Sequence, residues 1–169
     1  GTVNPEWRNR MNIDSYIDIL LRDLKKKNQV LDAIIFANQE QKELLEDPNL
    51  DPDDFDAIVE KKAKLIDELD KLDEGFEQVY QRIKEELQEN KAKYAMQIKE
   101  LQGYIRQLTD KSATIQAQEQ RNKEAMQKKF SEVKKQVREV RASQKVVNQY
   151  YRNMMKTGYV DPQFLDNKK

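Results

Sequence analysis

Glu46-Asp47-Pro48-Asn49-Leu50-Asp51-Pro52-Asp53-Asp54 is the stretch that decides the fold. It lies between two long runs of helical periodicity and contains a helix stop followed by a helix start. Pro48 cannot continue a helix, because it lacks an N–H and its ring clashes with the preceding turn. Asp51 can accept a hydrogen bond from a free N–H ahead of it, and Pro52 fits the first helical position. Asp53 and Asp54 then set negative charge at the positive end of the helix dipole. Clustered aspartates also suggest calcium, but the run lacks the glycine and the twelfth-position glutamate of an EF-hand loop. Helix capping accounts for all of them, so the chain must turn back on itself here.

Before the break, Ile13, Ile17, Leu20, Leu24, Leu31, Ile34 and Leu45 form a heptad seam whose gaps are filled by Lys27, Asn38 and Gln41. Polar residues on a seam cost stability and can fix register; the alternative is that they point past a frayed edge. Leu21, Val30 and Ile35 widen the stripe, so this helix needs more than one neighbour.

After the break the seam runs through Phe55, Ile58, Val59, Leu65, Leu69, Leu72, Phe76, Val79, Ile83 and Leu87. It continues through Tyr94, Ile98, Leu101, Ile105 and Leu108 with no proline. Gly75 and Gly103 each weaken a helix by about 1 kcal/mol relative to alanine. Either they admit a close neighbour or they are neutral. Thr109-Asp110-Lys111-Ser112 is the next candidate turn, although without glycine or proline the helix could also run on and bend. A third stripe follows: Ile115, Met126, Phe130, Val133, Val137, Val140, Val147, Tyr151 and Met154, with Glu119, Asn122 and Gln144 at its polar steps.

The expectation is an all-α fold of three long antiparallel helices, about 13–46, 52–108 and 112–157. Residues 1–12 form an irregular arm holding Trp7, and residues 158–169 form a tail. At about 1.5 Å per residue the second helix would approach 85 Å and the first roughly 50 Å. The surplus can pair only with the third helix. This predicts a three-helix bundle (13–46, 52–85 and about 135–157) extended by a two-helix coiled-coil arm. Charge agrees: residues 46–77 carry thirteen acidic and four basic side chains, and residues 121–145 carry nine basic and three acidic. Opposite charges beside a seam select partner and direction. That is the reading of Lys128, Lys129, Lys134, Lys135, Arg138 and Arg141 preferred over nucleic-acid binding, which would also need spaced aromatics for base stacking.

Composition narrows the function. The chain is 37% apolar and 37% charged, a balance that favours elongated helices, while its sustained periodicity argues against disorder. Thirty-one positive charges meet thirty-one negative ones, leaving no net field to draw nucleic acid or an anionic membrane. There is no cysteine for a disulfide or thiolate metal site and no histidine for general-base work. No glycine-rich phosphate loop and no Glu-x-x-His pair occurs. The chain reads as a non-enzyme without metal or cofactor. No apolar run approaches the roughly 20 residues of a membrane span, and no signal-peptide pattern is present, so the expected location is cytoplasmic.

The ending is the most distinctive part. Ala142-Ser143-Gln144-Lys145-Val146-Val147-Asn148-Gln149-Tyr150-Tyr151-Arg152-Asn153-Met154-Met155, and after a short gap Phe164-Leu165-Asp166-Asn167-Lys168-Lys169, resembles the C-terminus of FlgN-type flagellar export chaperones, clostridial members especially. Tyr16-Ile17-Asp18-Ile19-Leu20-Leu21 and Ile58-Val59-Glu60-Lys61-Lys62-Ala63-Lys64-Leu65-Ile66 are similar as well. The resemblance covers most of residues 13–169. It implies a cytoplasmic type III secretion chaperone of flagellum biogenesis. Such a protein binds the C-terminal helices of hook-associated proteins, prevents their premature assembly and delivers them to the export gate. It places partner contact at Tyr150, Tyr151, Met154, Met155, Tyr159, Phe164 and Leu165. Tyr151 and Met154 lie on the seam and also suit a core role; Phe164 and Leu165 also suit a tail that folds back. Two rival readings are a FliT-type chaperone of the filament cap and a structural coiled coil that self-associates, as a homodimer for example.

Overall fold

The structure is a computed structural model and describes residues 5–130. These form three helices, α1 (Pro5–Glu46), α2 (Pro52–Glu89) and α3 (Ala95–Phe130), with no strand among the described residues. The first reversal is where the sequence puts it. Asp51 is extended, and its carboxylate accepts from the Asp53 N–H at 2.9 Å with Pro52 opening the helix. Asp47 Oδ1 accepts from the Asn49 N–H at 2.9 Å, which tightens the connection.

α1 lies between its two neighbours and packs along both. Its contacts fix direction: Lys61 reaches back to Glu40 on α1, whereas Lys111 pairs with Asp32 and Gln118 bonds to Asn38. α2 therefore runs antiparallel to α1 and α3 runs parallel to it. The widened α1 stripe has this cause, with Val30 buried and Leu21 and Ile35 packed against the main core. That core runs from Ile17, Leu20 and Leu24 through Leu69, Ile83 and Leu87 to Leu101, Ile105 and Ile115.

Two expectations are corrected. The second reversal is at residues 90–94, not at Thr109–Ser112. Glu86 C=O accepts from both the Asn90 N–H and Asn90 Nδ2, each at 3.1 Å, and Asn90 C=O accepts from the Tyr94 N–H at 3.3 Å. Tyr94 is 1% exposed, so the turn is pinned by its own aromatic ring. Thr109–Ser112 stays helical between the buried Leu108 and Ile115, and its hydroxyls bond back along the helix. Thr109 Oγ1 donates to Ile105 C=O at 3.0 Å and Ser112 Oγ to Leu108 C=O at 2.7 Å. α2 consequently ends at Glu89 rather than near residue 108.

The second correction follows from the first. With 42, 38 and 36 residues the helices have matched lengths, roughly 55–65 Å, and no two-helix arm exists among the described residues. Residues 95–130 take the place beside α1 expected for about 135–157, a segment outside the described residues. α1 includes residues 5–12, which the sequence assigns to an irregular arm.

Gly103 lies within α3, and a Cβ there would meet no heavy atom within 4 Å. It admits no close neighbour and only weakens its helix. Gly103→Ala should raise stability by about 1 kcal/mol and the melting midpoint by about 2–4 °C, read by thermal and urea denaturation.

Candidate functional site

The partner residues inferred from sequence, Tyr150, Tyr151, Met154, Met155, Tyr159, Phe164 and Leu165, lie outside the described residues. The structure describes the end of the bundle that leads into them, where the end of α1, the start of α2 and the last turns of α3 converge. This end is built in three parts.

The first part is a buried polar layer spanning all three helices. Lys62 on α2 is 2% exposed; its Nζ pairs with Glu119 on α3 at 2.5 Å and donates to Gln41 Oε1 on α1 at 3.1 Å. Asn122 Nδ2 donates to Gln41 Oε1 at 3.2 Å and to Asn38 C=O at 3.0 Å. Asn38 Nδ2 donates to Gln118 Oε1 at 3.1 Å, and Gln118 Nε2 donates to Ile35 C=O at 3.2 Å. Burial pulls the Lys62 ammonium below its ordinary value, and the Glu119 carboxylate partly offsets that.

The second part is a small apolar cap beyond this layer, formed by Leu45, Phe55 and Met126 with Leu50 and Val59 against them. It is separate from the main core. Lys129 Nζ closes the cap by donating to the carbonyls of Leu45 and Asp47. A cation on the last carbonyls of α1 answers the negative end of that helix dipole.

The third part is an open groove of about 510 Å³ between α1 and α2. Leu44, Ala57 and Ile58 form its apolar lining, and Glu40, Glu43, Asp47 and Asp54 its acidic rim. Next to it Lys61 pairs with Glu40 at 3.1 Å and stands 5.8 Å from the centre of the Phe36 ring. Phe36 is 64% exposed; the other large exposed apolar side chain among the described residues is Met96, at the start of α3.

Asn38, Gln41, Glu119 and Asn122 are the seam residues that the sequence singles out, and three of them are fully buried here. Lys62, Ile66 and Tyr80 escape the sequence reading, which follows Val59, Leu65 and Val79 instead. Steps of three and four through Phe55, Ile58, Lys62, Ile66 and Leu69 carried the signal, with Lys62 a polar filler like Lys27.

The described residues form a helical rod whose apolar residues are largely used internally, with a polar-locked end. No helix among the described residues is long and apolar enough to cross a membrane. The family model described as FlgN protein matches residues 11–157, and the chain belongs to the FlgN family. That membership points to a flagellar export chaperone. No curated protein matches the chain, and no solved structure matches it.

Glu119→Ala would leave the Lys62 charge buried without its carboxylate and should cost about 3–5 kcal/mol in urea unfolding. The double replacement Lys62→Met with Glu119→Leu should recover most of that loss. The pH dependence has a definite sign. Lys62 gives up its proton in the fold at a lower pH than its ordinary 10.5, so across that window the unfolded chain binds more protons. Stability from this group rises as pH climbs to 10.5, and Lys62→Met should flatten the alkaline slope.

Proposed function

We propose that the chain is a cytoplasmic chaperone that holds the C-terminal helices of hook-associated proteins and presents them to the flagellar type III export gate. The observation carrying this reading is the family match, which takes in Tyr150, Tyr151, Met154 and Met155 and ends before Tyr159, Phe164 and Leu165. The described bundle supports the same division of labour. Phe36 on α1 and Met96 on α3 are the large exposed apolar side chains described there, and they stand apart on different helices. This supports a client surface on the apolar residues after Phe130.

Tyr150 and Met155 lie off the heptad seam and are the foremost contact residues; the methionines suit a surface that adapts to more than one client helix. Tyr151 and Met154 contribute from the seam. Tyr159, Phe164 and Leu165 extend the contact, and one of the tyrosines assists docking at the gate.

Full-length chain mixed with C-terminal helical segments of hook-associated proteins should give a stoichiometric complex on size exclusion. Tyr150→Ala with Met155→Ala should weaken it about tenfold or more while the circular-dichroism signal stays unchanged. No complex from a folded chain would sink the proposal, and a complex with filament-cap segments alone would favour the FliT-type reading. Sedimentation separates the self-associating coiled coil, because truncation after Gly158 would dissolve an oligomer only in that case.

A further inference from the structure

The α1–α2 groove combines an apolar lining of Leu44, Ala57 and Ile58 with a rim of four carboxylates, and Lys61 beside it is already paired with Glu40. The described part of α3 reaches Phe130 at the same end of the molecule, with Lys129 fastened to the carbonyls of Leu45 and Asp47, and Asp47 is itself a groove residue. The sequence after Phe130 therefore continues from the end of the bundle that holds the groove. Residues 131–145 hold five basic and two acidic side chains. Val133, Val137 and Val140 recur at helical spacing, and Lys134, Arg138 and Arg141 recur one position later, so the sequence sets an apolar edge beside a basic edge.

We propose that the groove is an intramolecular dock for this chain's own residues 133–141. The valine edge would meet Leu44, Ala57 and Ile58, and the basic edge would face Glu40, Glu43 and Asp54. Length permits it: nine residues as helix span about 13 Å, and the α1 lining from Glu40 to Asp47 spans about 10 Å. Opposite charge selects this segment over the acidic surface of α2, and the groove needs no second molecule to be filled. The dock is a claim about this chain alone and does not depend on which client it carries.

The cysteine-free sequence makes the test direct. In the full-length chain, Ala57→Cys with Val137→Cys should be joined by a short bismaleimide into a product of monomer mass. Adding Lys134→Glu, Arg138→Glu and Arg141→Glu should slow that reaction about tenfold. Reversing Glu40, Glu43 and Asp54 to lysine in the same chain should restore it, and high salt should slow the unaltered pair. The pair Glu40→Cys with Lys61→Cys, whose side chains meet across the helices, is the positive reference. A product of dimer mass would overturn the proposal in favour of a second copy. No product, from a chain that is helical and whose reference pair reacts, would overturn it outright, as would a rate unaffected by charge reversal.

Discussion

A lysine that is 2% exposed cannot change neighbours without leaving a charge in an apolar interior, and this constraint holds the bundle in register. Lys62 binds α2 to α3 through Glu119 and α2 to α1 through Gln41. A second fully buried lysine, Lys27, binds α1 to α2 through Asp73, with the Phe76 ring 5.4 Å from its ammonium. Asn38, Gln118 and Asn122 tie α1 to α3. Each pair of helices therefore has a polar tie that reads position. The leucines and isoleucines cannot supply this: a slip of one heptad would still place apolar residues on apolar residues. The same slip would bury two ammonium groups and their carboxylates apart. The stability given up in burying these charges sets the one alignment in which the three helices fit.

This explains which parts of the fold were legible in the sequence. α1 and the first reversal could be read because proline and capping aspartates stop one helix and start the next by local chemistry. The second reversal could not. Leu87, Tyr94, Ile98 and Leu101 keep heptad spacing across it, since the turn inserts Tyr94 into the same core that the helices share. Asn90 is the only residue there with a turn preference, and its effect lies in bonds to Glu86 C=O that spacing does not reveal. Conversely, Thr109 to Ser112 looks like a turn by composition and is carried within α3 between the core residues Ile105, Leu108 and Ile115.

The polar layer was half legible for a related reason. Asn38, Gln41, Glu119 and Asn122 occupy gaps in otherwise apolar seams, which exposes them to pattern reading. Lys62 sits in a lysine-rich run, Lys61-Lys62-Ala63-Lys64, where solvent exposure is the natural expectation and where Lys61 and Lys64 are indeed exposed. Only the partners on two other helices distinguish Lys62, and those are set by tertiary structure. The residues assigned to partner contact rest on family resemblance rather than geometry and lie outside the described residues; the family match takes in the first four of them.

The polar layer also divides the core unequally. On one side the main cluster runs along most of the rod; on the other, Leu45, Phe55 and Met126 form a small cap. Apolar burial provides most of the local stability, so the cap at the end of the bundle has less of it than the main cluster and opens more readily than that cluster does. Lys129 and the capped Asp51 hold that end closed by hydrogen bonds rather than by packing. A chaperone gains from this arrangement. The rod stays intact because its register is fixed by buried charge, while the end leading into the C-terminal segment can adjust at small cost. Stability and adaptability are thus separated along the length of a single bundle, and the boundary between them is the layer around Lys62.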